Sequence, residues 1–182
     1  AIEAHYDGLL THGLVTASMG GDHTIVLPIL RAMAKRHGPV GLIHVDAHTD
    51  INDTMFGSKV AHGPPFRRAV EEGLLDGNRV VQIGVRGTGY AADVFDWSRE
   101  PGFRVVQAEE CWHLSLEPLM GEVRDQVDGG PVYLSFDNDV LDPAYAPGTG
   151  TPAVGGLTMP QGWAGTRGCP SLHLLGCGLG EV

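Results

Sequence analysis

The sequence has few basic residues and no long apolar run. Of its 182 residues, 12 are Lys or Arg and 22 are Asp or Glu, which gives a formal net charge of -10. Because no basic cluster is present to neutralise phosphates, neither a nucleic acid nor an anionic membrane surface is an expected partner. No apolar run approaches the roughly 18–20 residues that a membrane-spanning helix requires, so we expect no membrane partner.

Cysteine is also scarce. Cys111, Cys169 and Cys177 are odd in number and lack the spacing of a zinc finger, which indicates reduced thiols rather than a disulfide framework. The chain begins at Ala1 without a visible signal or transit segment. We therefore expect a processed chain or part of a longer product, whose start does not indicate a compartment.

Short apolar runs alternate with helical patterns along the chain. The length and the hydrophobic fraction of 42% suit one domain with its own core. The alternation predicts an α/β fold with a mostly parallel sheet flanked by helices. Residues 51–63 and 86–102 are predicted to be irregular, and Asp76-Gly77-Asn78 to form a turn. Strands are predicted at 14–19, 40–45, 79–85, 103–107 and 131–136, and helices at 1–12, 24–37, 64–76 and 114–127.

Three predicted strands end in residues that bind divalent metals. Ligands of parallel sheets bind outside the carboxyl ends of the strands, so these residues are expected to meet. In an extended chain, residues at i, i+2 and i+4 point to one side, which predicts that Asp46, His48 and Asp50 converge. His44 is expected to point back along its strand and to take no part. The three motifs are Gly20-Gly21-Asp22-His23-Thr24, Asp46-Ala47-His48-Thr49-Asp50 and Asp137-Asn138-Asp139.

The candidate ligands exceed what one zinc ion takes. An oxygen-rich set with some imidazole favours Mn²⁺, shared between two ions about 3.5–4 Å apart. Each residue alone has an ordinary explanation as a capping aspartate or a packed histidine, but together the carboxylates would repel strongly without a cation. The six candidates are His23, Asp46, His48, Asp50, Asp137 and Asp139.

A two-metal site of this kind predicts hydrolysis at a carbon or phosphorus centre, because water between two divalent ions loses a proton near neutral pH. Spacing alone leaves phosphatase, deacetylase and amidinohydrolase open. The three motifs, however, resemble in order the signatures of the ureohydrolase (arginase/agmatinase) family. The similarity runs from about residue 10 to the end and is closest to the vertebrate mitochondrial agmatinase-like branch, that of the guanidino acid hydrolases, through residues 61–68 and 142–152.

The resemblance implies an arginase-like three-layer α/β/α fold. It also implies that residues 1–182 form one incomplete domain, without an N-terminal part of the sheet and a C-terminal helix. By the same resemblance, the complete protein is expected to be a mitochondrial homo-oligomer.

For the site, the resemblance implies two Mn²⁺ ions bridged by Asp46 and Asp137, and a metal-bound hydroxide that attacks a guanidinium carbon to give urea and a primary amine. His62 would shuttle a proton near the leaving amine; otherwise it is a loop histidine. Glu181 would pair with the guanidinium; otherwise it is an ordinary glutamate. One ion would also be held by His23 and Asp50, and the other by His48 and Asp139.

The substrate expected from the resemblance is a simple linear guanidino compound. Residues 51–59 do not resemble the loop with which arginases bind an amino-acid head group, which favours agmatine or an acid such as 4-guanidinobutyrate. The sequence does not separate these two. Lys59 and Arg67 are candidates for binding an acid's carboxylate, although solvated surface charges are the favoured interpretation.

Several positions depart from the family pattern. Asn138 replaces an apolar residue, Ala153 a glutamate, and Gly178 and Gly180 an aspartate and an apolar residue. Residues 159–168, with three glycines and a proline, are predicted to form a helix poorly. These departures leave a second hypothesis beside the enzyme, namely a metal-binding but inactive fragment or isoform that associates with full-length subunits. A two-metal phosphatase is a third, disfavoured because it would not need the Gly-Gly-Asp-His-Thr motif.

Overall fold

The computed structural model of the chain describes residues 1–87 and 94–182, so residues 88–93 of the stretch expected to be irregular lie outside the described residues. None of the described helices is both long enough and apolar enough to cross a bilayer. The helices and strands follow one another in the order α1 (Ile2–Leu10), β1 (Thr16–Met19), α2 (Val26–His37), β2 (Val40–Val45), α3 (Pro65–Glu71), β3 (Leu75–Val85), α4 (Val94–Arg99), β4 (Arg104–Gln107), α5 (Ala108–Cys111), α6 (Glu117–Val127), β5 (Val132–Asp137), α7 (Met159–Arg167) and β6 (Leu174–Gly180).

The strands form a six-stranded sheet in the order β1-β6-β5-β2-β3-β4. Every pairing is parallel, which confirms the predicted fold class. All six residues of β2 are buried, because helices cover the sheet on both faces. Leu42 and Phe66 pack with α1, α2 and α3 on one face, and Ile43 and Met120 pack with α5 and α6 on the other. The result is three layers with a core on each side of the sheet.

One predicted turn is wrong. The helix predicted over 64–76 ends at Glu71, and β3 already begins at Leu75, so it runs through Asp76-Gly77-Asn78. The chain turns earlier, at Gly73, which has a φ of +70°. Glycine adopts this conformation at little cost. Gly77 serves a different purpose: a Cβ there would lie 2.0 Å from the carbonyl oxygen of Pro101, so glycine permits a close approach of two backbones.

The predicted weakness of the helix over residues 159–168 is also wrong. Helix α7 begins with a capping box, in which Thr158 and Gln161 each bond the other's backbone N–H. Pro160 lies in the first turn, where a missing N–H costs nothing. At Gly162 a Cβ would lie 3.0 Å from Cδ2 of Leu141, so this glycine allows the helix to pack closely. Capping and packing therefore outweigh the low helix propensity.

Candidate metal centre

Four neighbouring strands of the sheet end at one edge and carry the candidate residues there. His23 follows β1, Asp46 follows β2, Asp137 ends β5 and Glu181 follows β6. Because all these strands are parallel, segments far apart in sequence deliver their side chains to the same place. The sheet thus brings together the three motifs that the sequence singled out.

The first group of candidate ligands surrounds His23, which is buried. Its Nδ1 lies 2.7 Å from Oδ2 of Asp50, 3.0 Å from Oδ2 of Asp137 and 3.7 Å from Oδ2 of Asp46. Its Nε2 lies 2.7 Å from Oγ of Ser135, which holds the ring so that Nδ1 faces the carboxylates. Burial lowers the pKa of His23, which favours the neutral imidazole that a metal requires.

The second group surrounds His48. Its Nδ1 lies 3.1 Å from Oδ2 of Asp139 and 3.4 Å from Oδ1 of Asp46. Burial alone would lower the pKa of His48, but pairing with Asp139 and Asp46 raises it to about 11. Asp46 therefore belongs to both groups, through one oxygen to each. Asp137 lies in the first group, and its expected bridging to the second stays a prediction.

The ligands converge through turns rather than by strand alternation, so the predicted reason for their convergence is wrong. Asp50 has a left-handed φ of +51°. Strand β5 ends at Asp137, and Asn138–Val140 form a 3-10 turn that carries Asp139. Asn138 is half-buried at the start of this turn. The alternation rule fails because these segments leave the extended conformation at the strand ends.

Two of the buried carboxylates, those of Asp50 and Asp137, are poorly stabilised as anions. Burial, followed by the charge of Asp46, raises the pKa of Asp50 and of Asp137 well above the ordinary range. Both oxygens of Asp137 are buried without a hydrogen-bond partner among the described residues, although one of them is near His23. Leaving such a group unpaired is costly, and a cation would supply the missing partner. With four carboxylates and two imidazoles, the donor set fits hard divalent ions such as Mn²⁺.

His62 and Glu181 both line the cavity above these ligands, which has a volume of about 260 Å³. Glu181 has a left-handed φ of +50°, and its Oε1 accepts a hydrogen bond of 3.0 Å from the main-chain N–H of His23. Burial raises the pKa of this carboxyl group. Glu181 therefore lines the same cavity as the candidate ligands. Neither Lys59 nor Arg67 lines the cavity. Lys59 is exposed, and Nε of Arg67 lies 3.2 Å from Oε1 of Glu71.

The sequence reasoning missed several residues around the ligands. His44 was expected to take no part, yet its Nε2 lies 2.7 Å from Oδ2 of Asp46. The available signal was its position in a buried strand, where a polar side chain requires a partner. Oγ1 of Thr151 donates to Oδ2 of Asp139 at 2.7 Å. Thr151 was missed because it lies in a loop whose residues follow no helix or strand periodicity.

Arg86 is a further residue that the sequence did not indicate. Its guanidinium donates to the carbonyl oxygens of Asp139 at 2.7 Å and of Ala153 at 2.6 Å. It also reaches four further main-chain carbonyls, those of Gly84, Val140, Leu141 and Val154. Arg86 thereby joins the turn that carries Asp139 to the loop after Thr151. Ala153 contributes its main-chain carbonyl oxygen to these hydrogen bonds, and its small side chain does not obstruct them.

The two glycines before Glu181 leave room for their neighbours. A Cβ at Gly178 would lie 2.5 Å from Oη of Tyr133, and one at Gly180 would lie 2.6 Å from Oδ1 of Asp137. The tyrosine hydroxyl and the aspartate carboxylate thus occupy space that larger side chains would need.

The chain is similar to proteins of one family in sequence and in fold. The arginase family model matches residues 1–182. The guanidinobutyrase of Pseudomonas aeruginosa is 67% identical over 181 residues, covering 100% of this chain and 57% of that protein. The mitochondrial guanidino acid hydrolase of Homo sapiens is 58% identical, and this chain covers 51% of it. The solved structure of proclavaminate amidino hydrolase from Streptomyces clavuligerus superposes with a TM-score of 0.92 at 42% identity, covering 100% of this chain and 60% of that one.

Proposed function

Because the chain belongs to the arginase family, we propose that the complete protein hydrolyses the terminal guanidino group of a linear guanidino compound to urea and a primary amine. The observation that carries this proposal is the pair of ligand groups that share Asp46, beneath a cavity lined by His62 and Glu181. The chain spans about half the length of the curated relatives it matches, between 51% and 57% for those named above. Residues 1–182 are accordingly proposed to be the metal-binding part of a longer domain.

Two Mn²⁺ ions are proposed to occupy the centre. His23 and Asp50 would hold one ion, His48 and Asp139 the other, and Asp46 would bridge them. Asp137 is proposed as the second bridging ligand, which its unpartnered buried oxygens support. When bound, the ions would supply Lewis-acid chemistry that makes a shared water molecule a strong nucleophile near neutral pH.

The protein's own side chains would orient the substrate and move a proton. A carboxylate is a strong partner for a planar guanidinium, and Glu181 lines the cavity where it would bind one. Water would add to the guanidinium carbon to give a tetrahedral adduct and would lose its protons. As the carbonyl group of urea forms, the bond from that carbon to the alkyl nitrogen would break, and the departing nitrogen would take up one of those protons. His62, on the cavity wall and half-buried, would deliver this proton.

The substrate is proposed to be a linear guanidino acid such as 4-guanidinobutyrate, with agmatine as the alternative. The relative at 67% identity is named guanidinobutyrase, which supports the acid. A chicken relative at 58% identity is named agmatinase, which supports agmatine. Within the described part of the chain, the cavity is lined by carboxylates and carries no Lys or Arg, which suits a guanidinium but offers no cation to a substrate carboxylate.

Urea release by the purified protein with added Mn²⁺ tests the proposal, with 4-guanidinobutyrate and agmatine in parallel. We expect urea from at least one substrate, and none from the Asp46→Asn variant. Asp125→Asn, at an exposed position of α6, is the matched control and should keep full activity. Stoichiometric Mn²⁺ binding without urea from either substrate would instead establish the metal-binding but inactive fragment.

Localisation and assembly stay predictions. The names of the human and chicken relatives include a mitochondrial location, whereas that of the Pseudomonas guanidinobutyrase does not. A homo-oligomer of the complete protein is supported by large exposed apolar side chains such as Met19 and Trp163, which a neighbouring subunit or further chain would cover. Light scattering of the purified complete protein measures the assembly.

A further inference from the structure

His44 lies directly beneath the metal ligands without belonging to the predicted set. It is fully buried in β2, and Gln82, its register partner in the neighbouring strand β3, is fully buried as well. Nε2 of His44 lies 2.7 Å from Oδ2 of Asp46, and Nδ1 lies 2.9 Å from Nε2 of Gln82. The same Gln82 nitrogen donates to the carbonyl oxygen of Thr49 at 2.6 Å. These contacts form a continuous chain from Thr49 to Asp46.

The chain of contacts has a fixed direction. Rotating the Gln82 amide by half a turn would bring its Oε1 against the carbonyl oxygen of Thr49. The amide nitrogen, Nε2, must therefore face that carbonyl. An amide nitrogen only donates, which makes Nδ1 of His44 the acceptor. The hydrogen of the imidazole then lies on Nε2 and is donated to Asp46.

Packing fixes the ring that makes this bond. The centroid of the His44 ring lies 4.4 Å from that of Phe66, a fully buried side chain that also packs edge-on against His23 at 5.2 Å. The imidazole therefore cannot turn away from Asp46 without displacing a core residue.

The carboxylate of Asp46 is held at both oxygens. Oδ2 accepts from His44, and Oδ1 accepts from the main-chain N–H of His48 at 2.7 Å. A carboxylate oxygen has two lone pairs, so each oxygen retains one for a metal ion. Because both oxygens are fixed in this way, the plane of the carboxylate is set, with Oδ2 3.7 Å from Nδ1 of His23 and Oδ1 3.4 Å from Nδ1 of His48.

We propose that His44, oriented by Gln82, is a positioning residue that holds the Asp46 carboxylate in the orientation needed to bridge two metal ions. This inference rests on the proposed two-metal function. His44 is not a ligand in this arrangement, because its Nε2 is used by Asp46 and its Nδ1 faces Gln82. Interactions of this kind around a metal ligand typically change metal affinity 10–100-fold.

Mn²⁺ binding to the metal-free protein, measured by isothermal titration calorimetry, tests the proposal independently of activity. His44→Leu should weaken Mn²⁺ binding by about 10–100-fold. His44→Gln should restore affinity close to that of the wild type, because its amide nitrogen can donate from the position of Nε2. Leu42→Ala is the control: it removes a buried side chain from the same strand, and should lower Tm while leaving Mn²⁺ affinity unchanged.

A second variant covers the case in which His44→Leu does not fold. Gln82→Met leaves His44 in place but removes the donor to its Nδ1, and should weaken Mn²⁺ binding less than His44→Leu does. Wild-type affinity in His44→Leu, or in Gln82→Met if that variant alone folds, would overturn the positioning role, as would equal losses in His44→Leu and Leu42→Ala. A wild-type protein that binds no Mn²⁺ would overturn the two-metal proposal itself, and the inference with it.

Discussion

Oδ2 of Asp137 lies 3.0 Å from Nδ1 of His23, yet neither oxygen of this fully buried carboxylate has a hydrogen-bond partner among the described residues. The two residues are far apart in the sequence, and the fold holds a carboxylate at the bottom of a cavity with little to stabilise its charge. Such a site is arranged for a cation rather than for the stability of the metal-free protein.

Replacing Asp137 by Asn should therefore stabilise the metal-free protein while damaging metal binding. Removing one of several crowded buried carboxylates should raise the free energy of unfolding by roughly 1–2 kcal/mol. Saturating Mn²⁺, at about 100 times Kd, should stabilise the wild type by about 2.7 kcal/mol and the variant by much less. Differential scanning calorimetry with and without Mn²⁺ measures both effects. Equal stabilisation of the two proteins by Mn²⁺ would show that Asp137 is not a ligand.

Replacing Arg86 by Met should destabilise the protein, because Arg86 holds together the loops above the sheet. The substitution leaves six main-chain carbonyls without their shared donor, and we expect a loss of roughly 3 kcal/mol or more. Mn²⁺ affinity should fall too, because Arg86 holds the backbone of Asp139. Arg99→Met is the control, since Arg99 is exposed and its ion pair among the described residues is with the exposed Asp96, and it should change Tm little. Similar Tm values for both variants would contradict the role of Arg86.

Replacing His62 by Asn should slow turnover without affecting the metal. Losing a residue that donates a proton in the transition state typically lowers kcat by about 10²–10⁴-fold. Steady-state urea release, together with Mn²⁺ stoichiometry on the same preparation, checks this. His12→Asn, at an exposed position beyond α1, should leave both quantities unchanged. An unaltered kcat in His62→Asn would assign proton delivery to another group.

Replacing Gly165 by Ala should stabilise helix α7. A Cβ at this helical position would meet nothing within 4 Å, so the change recovers the helix propensity that glycine lacks, about 0.5–1 kcal/mol. Gly162→Ala offers the comparison: its Cβ would lie 3.0 Å from Leu141, so it should give less or no gain. Thermal melting of the metal-free variants ranks them. A higher Tm for Gly162→Ala than for Gly165→Ala would contradict this account.

The sequence predicts the parts of this molecule that depend on local chemistry. The apolar run of β2 predicts a buried strand, and the side chains after it predict the ligand type, because both follow from residue identity and short spacing. Contacts set by strand register, such as that of His44 with Gln82, were not predictable, because the pairing of β2 with β3 is a tertiary property. The left-handed conformation at Asp50 was missed for a related reason: aspartate tolerates it, but only the surrounding fold requires it.

The pairing of β1 with β6 also constrains how the protein folds. Thr16 lies opposite Gly176, so the first of the six described strands pairs with the sixth. Contacts between such distant segments require the closure of a very long loop, and proteins rich in them fold slowly. Among the described strands, β1 pairs with β6 alone, so this pairing cannot form until β6 has been synthesised. His23 and Glu181 consequently meet late, and the metal centre is expected to be among the last parts of this chain to form.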